Sequence, residues 1–227
     1  MKLLNYFKYF FFIGFNWNFR LAFFTLHNEI NGEKKYQVDS IEIDWLKTLT
    51  VRGENKRHAS IYQAANYFLL EKAFEYLKEK NIKGSLVDFG SGKGRILAVA
   101  AFYDFQKITG IDFAPALCAI AKGNVKKLQN DFPQTTFSII CDDAIHYSIK
   151  KDDAVFFFFN PFDETIMLKV LKNILQSLKE NPREIWVAYI NPLYKEIFLS
   201  AGFIEEYYLM KMKYLELSIL NFHPQED

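Results

Sequence analysis

From Ser85 onward the chain alternates short β-branched and aromatic runs with longer amphipathic runs, and this most restricts its fold. Ser85–Phe89, Lys107–Phe113, Thr135–Cys141, Asp153–Asn160 and Glu184–Asn191 read as strands. The segments GRILAVAAFYDF, PALCAIAKGNVKKLQNDF and TIMLKVLKNILQSLKE between them read as helices. Pro115 suits the first turn of the second, where its missing N–H has no partner to lose. The run Phe156–Phe159 has no polar face, so that strand must be covered on both sides. The last segments, FIEEYYLMK and KYLELSILNF, are separated by too few residues for a crossover helix and must pair antiparallel. Strand–helix alternation of this kind predicts a three-layer α/β/α architecture around a mostly parallel sheet. Upstream, residues 61–80 carry apolar groups at helical spacing, with Asn81 and Gly84 as the stop.

Composition narrows the function. Twenty-eight basic and 27 acidic residues leave a net charge of +1, which disfavours a globally basic nucleic-acid binder. Cys118 and Cys141 cannot make a disulfide framework, and four dispersed histidines without a CxxC predict no metal cluster. Aromatic residues make up 18% of the chain and crowd into the first 24 positions. Leu3–Leu26 is interrupted by Lys8 and Arg20, and its longest apolar stretch, Tyr9–Phe15, is too short to span a bilayer. No small-residue cleavage site follows it. One aromatic helix packed on the domain is the plain reading; a helix lying in a membrane interface and an uncleaved anchor are its rivals. In residues 27–57, Gly32 and Gly53 read as turns, and Ile41, Ile43 and Trp45 suit either a short strand or a helix start.

The sharpest local signal is VDFGSGKGR, Val87–Arg95, at a strand–helix junction. Gly90, Gly92 and Gly94 are spaced GxGxG. The dinucleotide fingerprint is GxGxxG, with no carboxylate two residues ahead of it. Asp88 there would repel a pyrophosphate and suits a cationic ligand. Asp112 ends the next strand, where a carboxylate can accept from a ribose diol. Asp142 and Asp143, after the third strand, could read an adenine amino group, or cap a turn. Asn160-Pro161-Phe162 follows the fourth.

On these motifs the chain from about Tyr62 to its end resembles the class I S-adenosylmethionine-dependent methyltransferases. VDFGSGKGR is similar to that superfamily's first motif, GIDF to its ribose-binding acidic motif and CDDA to its adenine motif. The resemblance implies a Rossmann-like, seven-strand sheet with an antiparallel last strand, residues 58–227, behind an N-terminal helical extension and lid or linker, residues 1–57. It implies S-adenosyl-L-methionine as cofactor. Asp88 would neutralise its sulfonium or amino end indirectly. Gly90, Ser91, Gly92 and Gly94 would approach its methionine and ribose parts. Asp112 would take the ribose hydroxyls, Phe113 would stack near adenine, and Asp143 and Ala144 would read it. Asn160, Pro161 and Phe162 are similar to the Asp/Asn-Pro-Pro-Tyr/Phe of amino-group methyltransferases, where Asn holds the amine and the ring stacks on it. The single proline departs from that pattern and leaves the acceptor atom open. Tyr62 would close over the methionine end.

His58, His146 and Asp163 are candidate bases, and Glu33–Tyr36 a candidate lid. The expected acceptor is a protein lysine or small amine rather than nucleic acid. The expected location is the cytoplasm, with membrane-surface contact through residues 3–26 as an added option. The rival functions are a catalytically degenerate cofactor-binding scaffold and a nicotinamide oxidoreductase, the latter disfavoured by the glycine spacing.

Overall fold

The computed structural model describes residues 2–38, 40, 64–82 and 84–224. Fifteen residues, Lys2–Asn16, form α1, and Phe19–Tyr36 form α2. The expected single helix over 3–26 is therefore a helical hairpin. Asn18 makes the break: it is extended (φ −167°), and its Oδ1 accepts from the Leu21 N–H at 2.8 Å, capping α2. Gly32 is not a turn but an interior position of α2. A Cβ there would lie 2.2 Å from the Tyr67 ring, so only glycine lets that ring seat against the helix. Gln37, left-handed at φ 57°, ends α2, with Lys34 and Lys35 at its negative pole.

Helix α3 runs from Tyr67 to Glu79 and is capped by Asn66, whose side chain accepts from the Phe68 N–H. It begins later than residue 61 because residues 64–66 are not helical; residues 61–63 lie outside the described residues, as does the junction at 57/58. The order that follows is β1 (Ser85–Phe89), α4 (Arg95–Phe102), β2 (Lys107–Asp112), α5 (Pro115–Leu128) and β3 (Thr136–Cys141). After a 3-10 turn at Ala144–His146 come β4 (Asp153–Phe158), α6 (Glu164–Glu180), β5 (Ile185–Ile190), α7 (Lys195–Ser200), β6 (Ile204–Lys211) and β7 (Leu215–Phe222).

The strands form one sheet in the order β3-β2-β1-β4-β5-β7-β6. All neighbouring pairs from β3 to β5 are parallel, and β7 runs antiparallel to both β5 and β6. Phe156, Phe157 and Phe158 of β4 are fully buried, as a polyphenylalanine strand between two others must be. One face of the sheet packs on α1–α5, the hairpin contributing Tyr9, Ile13, Leu21, Ala22 and Tyr36 to that core. The other packs on α6 and α7.

The chain moves outward from β1 to β2 and β3, then returns to place β4 on the other side of β1. Two adjacent strands whose connections leave in opposite directions open a crevice at their carboxyl ends. The glycine loop after β1 and Asn160-Pro161 after β4 both sit at that crevice.

Candidate functional site

The loop between β1 and α4 is forced into shape by its glycines. Gly90, Gly92 and Gly94 all have positive φ (82°, 52° and 82°). A Cβ on Gly90 would lie 2.2 Å from Cβ of Pro161, so the loops after β1 and β4 touch at this point. Pro161 thus packs on the glycine loop. A Cβ on Gly110 of β2 would lie 2.7 Å from Leu97 and 2.9 Å from Ser91. The bare backbone of β2 is what lets the loop lie close to it. The N–H groups of Gly90 and Ser91 both donate to the Ile111 carbonyl at 2.9 Å. Asn124 of α5 donates to the Lys93 carbonyl at 2.8 Å.

Asp112 fastens the arrangement. Its carboxylate accepts from the Gly92 N–H at 2.8 Å and from the Ala114 N–H at 2.9 Å. Burial raises its pKa to about 6, against the lowering effect of those two N–H donors. The expected ribose-binding carboxylate therefore also bridges the first two βα loops, and any diol would share it with these amides.

Asp88 is different. It is 1% exposed, and neither carboxylate oxygen has a hydrogen-bond partner. Burial, and then the charge of Asp112, push its pKa well above the usual carboxylate range. Two more buried acceptors in these loops are unpartnered, Ser91 Oγ and Asn160 Oδ1. Native interiors satisfy such atoms as a rule, and an unsatisfied one costs about 1–3 kcal/mol. Asn160 is further held left-handed at φ 39°. Orphaned acceptors in a strained, glycine-built crevice fit a ligand that brings hydrogen-bond donors and positive charge.

The remaining expected residues divide. Phe113 is half-buried beside Asp112. Asp143 is buried and caps the 3-10 turn, its Oδ1 accepting from the Ile145 N–H at 3.1 Å, and Ala144 is buried behind it. Asp142 Oδ1 lies 3.2 Å from His146 Nδ1, both exposed. Phe162 does not join the crevice: it is buried in the α6-side core with Phe158 and Ile166. Its ring is 8% exposed and packs inward, so Asn160 and Pro161 are the parts of the NPF segment at the crevice mouth. Asp163 caps α6, accepting from the Ile166 N–H at 3.3 Å. Glu33–Tyr36 is the end of α2 rather than a lid, since Glu33 and Tyr36 are buried. Tyr62 and His58 lie outside the described residues. Among the described residues no group of three or more His, Cys, Asp or Glu could hold a metal ion.

Arg95, which closes the glycine motif, is a residue whose role the sequence reading missed. It is 3% exposed. Its guanidinium pairs with Glu29 of α2 at 2.7 Å, donates to Ser40 Oγ and the Ala65 carbonyl, and stacks over the Tyr67 ring at 4.1 Å. Tyr67 in turn stacks on Tyr36. The glycine loop is thus anchored to the N-terminal hairpin. The available signal was an arginine directly after a buried loop, where a solvated charge has no room.

No family model and no curated protein matches this sequence. Solved structures do match. The ribosomal protein L11 methylase of Lactobacillus delbrueckii subsp. bulgaricus aligns over 69% of this chain and 79% of its own, at 14% identity and a TM-score of 0.52. The methyltransferase domain of a bacterial Hen1 aligns over 67% and 97%, at 17% identity and a TM-score of 0.51. Together with the strand order, this decides the architecture. The fold is that of the class I methyltransferases. A further match in this fold is the tRNA (uracil-54, C5)-methyltransferase of Pyrococcus abyssi, in complex with S-adenosyl-L-homocysteine. It aligns over 70% of this chain and 39% of its own, at 13% identity and a TM-score of 0.52. The class I methyltransferase fold therefore serves protein and RNA methylation among these structures, and by itself does not select an acceptor.

Proposed function

We propose that this chain is an S-adenosylmethionine-dependent methyltransferase that acts on nitrogen, in a protein lysine or a small amine. The observation that carries the reading is the set of unpartnered buried acceptors at the β1/β4 crevice, Asp88 near the end of β1 and Ser91 Oγ and Asn160 Oδ1 in the loops after β1 and β4. The cofactor would supply an electrophilic methyl group on a sulfonium. Asp88 and Ser91 would take the donors of its methionine end, and Asp112 and Phe113 would face the ribose and adenine.

The chain's own contribution is placement. The glycine loop, pinned by Asp112 and by Pro161, fixes one side of the crevice. Asn160 would accept from an incoming amine and aim its lone pair along the reaction line. Alignment of two reactants in the crevice replaces the loss of translational freedom a bimolecular step would require. Fixed dipoles such as the Asn160 amide need no reorganisation as charge shifts. An amine also meets the requirement of Asn160 Oδ1 for a donor.

A second reading is a cofactor-binding scaffold without turnover, favoured by the burial of Phe162, which leaves the acceptor side without its expected ring. Methyl transfer from radiolabelled cofactor separates the two. Protein, small-amine and RNA acceptor pools are offered to the wild-type chain and to Asn160→Ala. Label in protein or amine that falls about a hundredfold in the variant supports the assignment. Label in RNA alone contradicts the acceptor class. Cofactor binding without label in any pool favours the scaffold.

A further inference from the structure

The outer face of the α1–α2 hairpin is an unpartnered aromatic surface. Leu3, Leu4, Phe7, Phe11 and Phe15 of α1 and Phe19 and Phe23 of α2 are exposed, with Leu3 at 69%, Phe15 at 76% and Phe23 at 66%. Leu3, Phe7, Phe11 and Phe15 recur every fourth residue and so form one stripe. Tyr9 and Ile13, on the opposite side of α1, are buried against the domain. The exposed rings form one surface. Phe11 packs on Phe15 at 5.9 Å, Phe15 on Phe19 at 5.6 Å, and Phe10 joins Phe11, Phe19 and Phe23 at 5.4, 5.9 and 4.8 Å. Contiguous apolar faces of this kind mark interaction sites.

The charge on the hairpin says which kind. Residues 1–28 hold Lys2, Lys8 and Arg20 and no Asp or Glu, in a chain whose net charge is only +1. Glu29 and Glu33, the acidic residues of α2, are both buried, one against Arg95 and the other accepting from Tyr6 at 2.6 Å. The exposed charges of the hairpin, Lys8, Arg20, Lys34 and Lys35, are therefore all cationic. Trp17, partly exposed, stands at the tip between the helices. An apolar aromatic stripe with Trp and a cationic border is the composition of helices that lie in a membrane interface. Among the described residues no helix is long and apolar enough to cross a membrane, so the contact is with the surface.

We propose that the α1–α2 hairpin docks this protein on anionic lipid bilayers, with its phenylalanine stripe in the acyl–headgroup boundary and Lys8 and Arg20 against the headgroups. The proposal is independent of the catalytic reading.

The test is co-sedimentation of the full chain with vesicles of phosphatidylcholine alone, and with about one-quarter phosphatidylglycerol added. The wild type is expected to partition about tenfold or more better onto the anionic vesicles, and less as salt rises. Phe11→Ser/Phe15→Ser/Phe23→Ser should lose binding to both while keeping the wild-type circular dichroism spectrum. Lys8→Glu/Arg20→Glu should lose the preference for anionic vesicles and, being a surface change, gives a second reading if the phenylalanine variant misfolds. Binding unchanged in both variants would overturn the proposal. So would a wild type that stays in the supernatant. If its light-scattering mass is then that of two chains and falls to one in the phenylalanine variant, the face is a self-association surface.

Discussion

Asp88 is where stability and binding conflict. A carboxyl group on a central strand, without a hydrogen-bond partner, destabilises the empty protein. An acid whose folded-state pKa is raised keeps its full contribution to stability below its unfolded pKa, and loses it as pH rises through the folded one. Asp88 and Asp112 are both raised, so the ligand-free protein should lose stability as pH climbs. For Asp112, from 3.8 to about 6, the loss is about 3 kcal/mol, accumulated between pH ~4 and ~6. Asp88→Asn should raise the melting temperature of the ligand-free chain at pH 8 and weaken its binding of S-adenosylmethionine. A lower melting temperature with unchanged binding would refute this role for Asp88. Arg95→Met leaves Glu29 buried without its cation and should cost about 3–5 kcal/mol, read as a shift in the urea midpoint. Gly90→Ala forces a Cβ into Pro161 at a positive φ and should separate the two loops of the crevice. Its expected signature is loss of cofactor affinity larger than its loss of stability.

At the scale of elements, the asparagine that starts α2 and the glycine inside it carry predictions. Asn18→Ala removes the cap that separates α1 from α2 and should cost about 1 kcal/mol, with a matching fall in melting temperature. Gly32→Ala drives a methyl into the Tyr67 ring and should cost about 1–3 kcal/mol. If Gly32→Ala is neutral or stabilising, α2 does not pack on α3 as described. These elements also show what the sequence revealed and what it concealed. The strands β1, β2, β4 and β5 were legible within one or two residues: β4 and β5 carry apolar runs, and β1 and β2 are short segments that end at the glycine motif and at Asp112. The Phe156–Phe159 run told which strand is central. The break at Asn18 was concealed by the aromatic residues on either side, whose apolar pattern continues through it. Gly32 reads as a turn locally and becomes helical through a ring supplied by a residue 35 positions later, Tyr67. Helix α7, six residues long, gave no periodic signal to find.

For the whole molecule, the glycine motif and Asp112 were readable because their backbone chemistry is local. The partners of Arg95 were not, since Glu29, Ser40, Ala65 and Tyr67 come from three separate stretches of chain. The burial of Phe162 was hidden for the same reason: only the packing of α6 on the sheet turns its ring inward. What the assembled molecule adds is a link, through Glu29 and Arg95, between a hairpin with an aromatic outer face and the loop at the β1/β4 crevice. The central claim remains that this crevice holds S-adenosylmethionine. Calorimetric titration of the wild-type chain and of Asp112→Ala with S-adenosylmethionine and S-adenosylhomocysteine tests it most directly. Micromolar binding to the wild type, about −8 kcal/mol, that falls at least tenfold in the variant is the predicted result. A folded wild type that binds neither ligand, or an Asp112→Ala chain that binds as the wild type does, would contradict it.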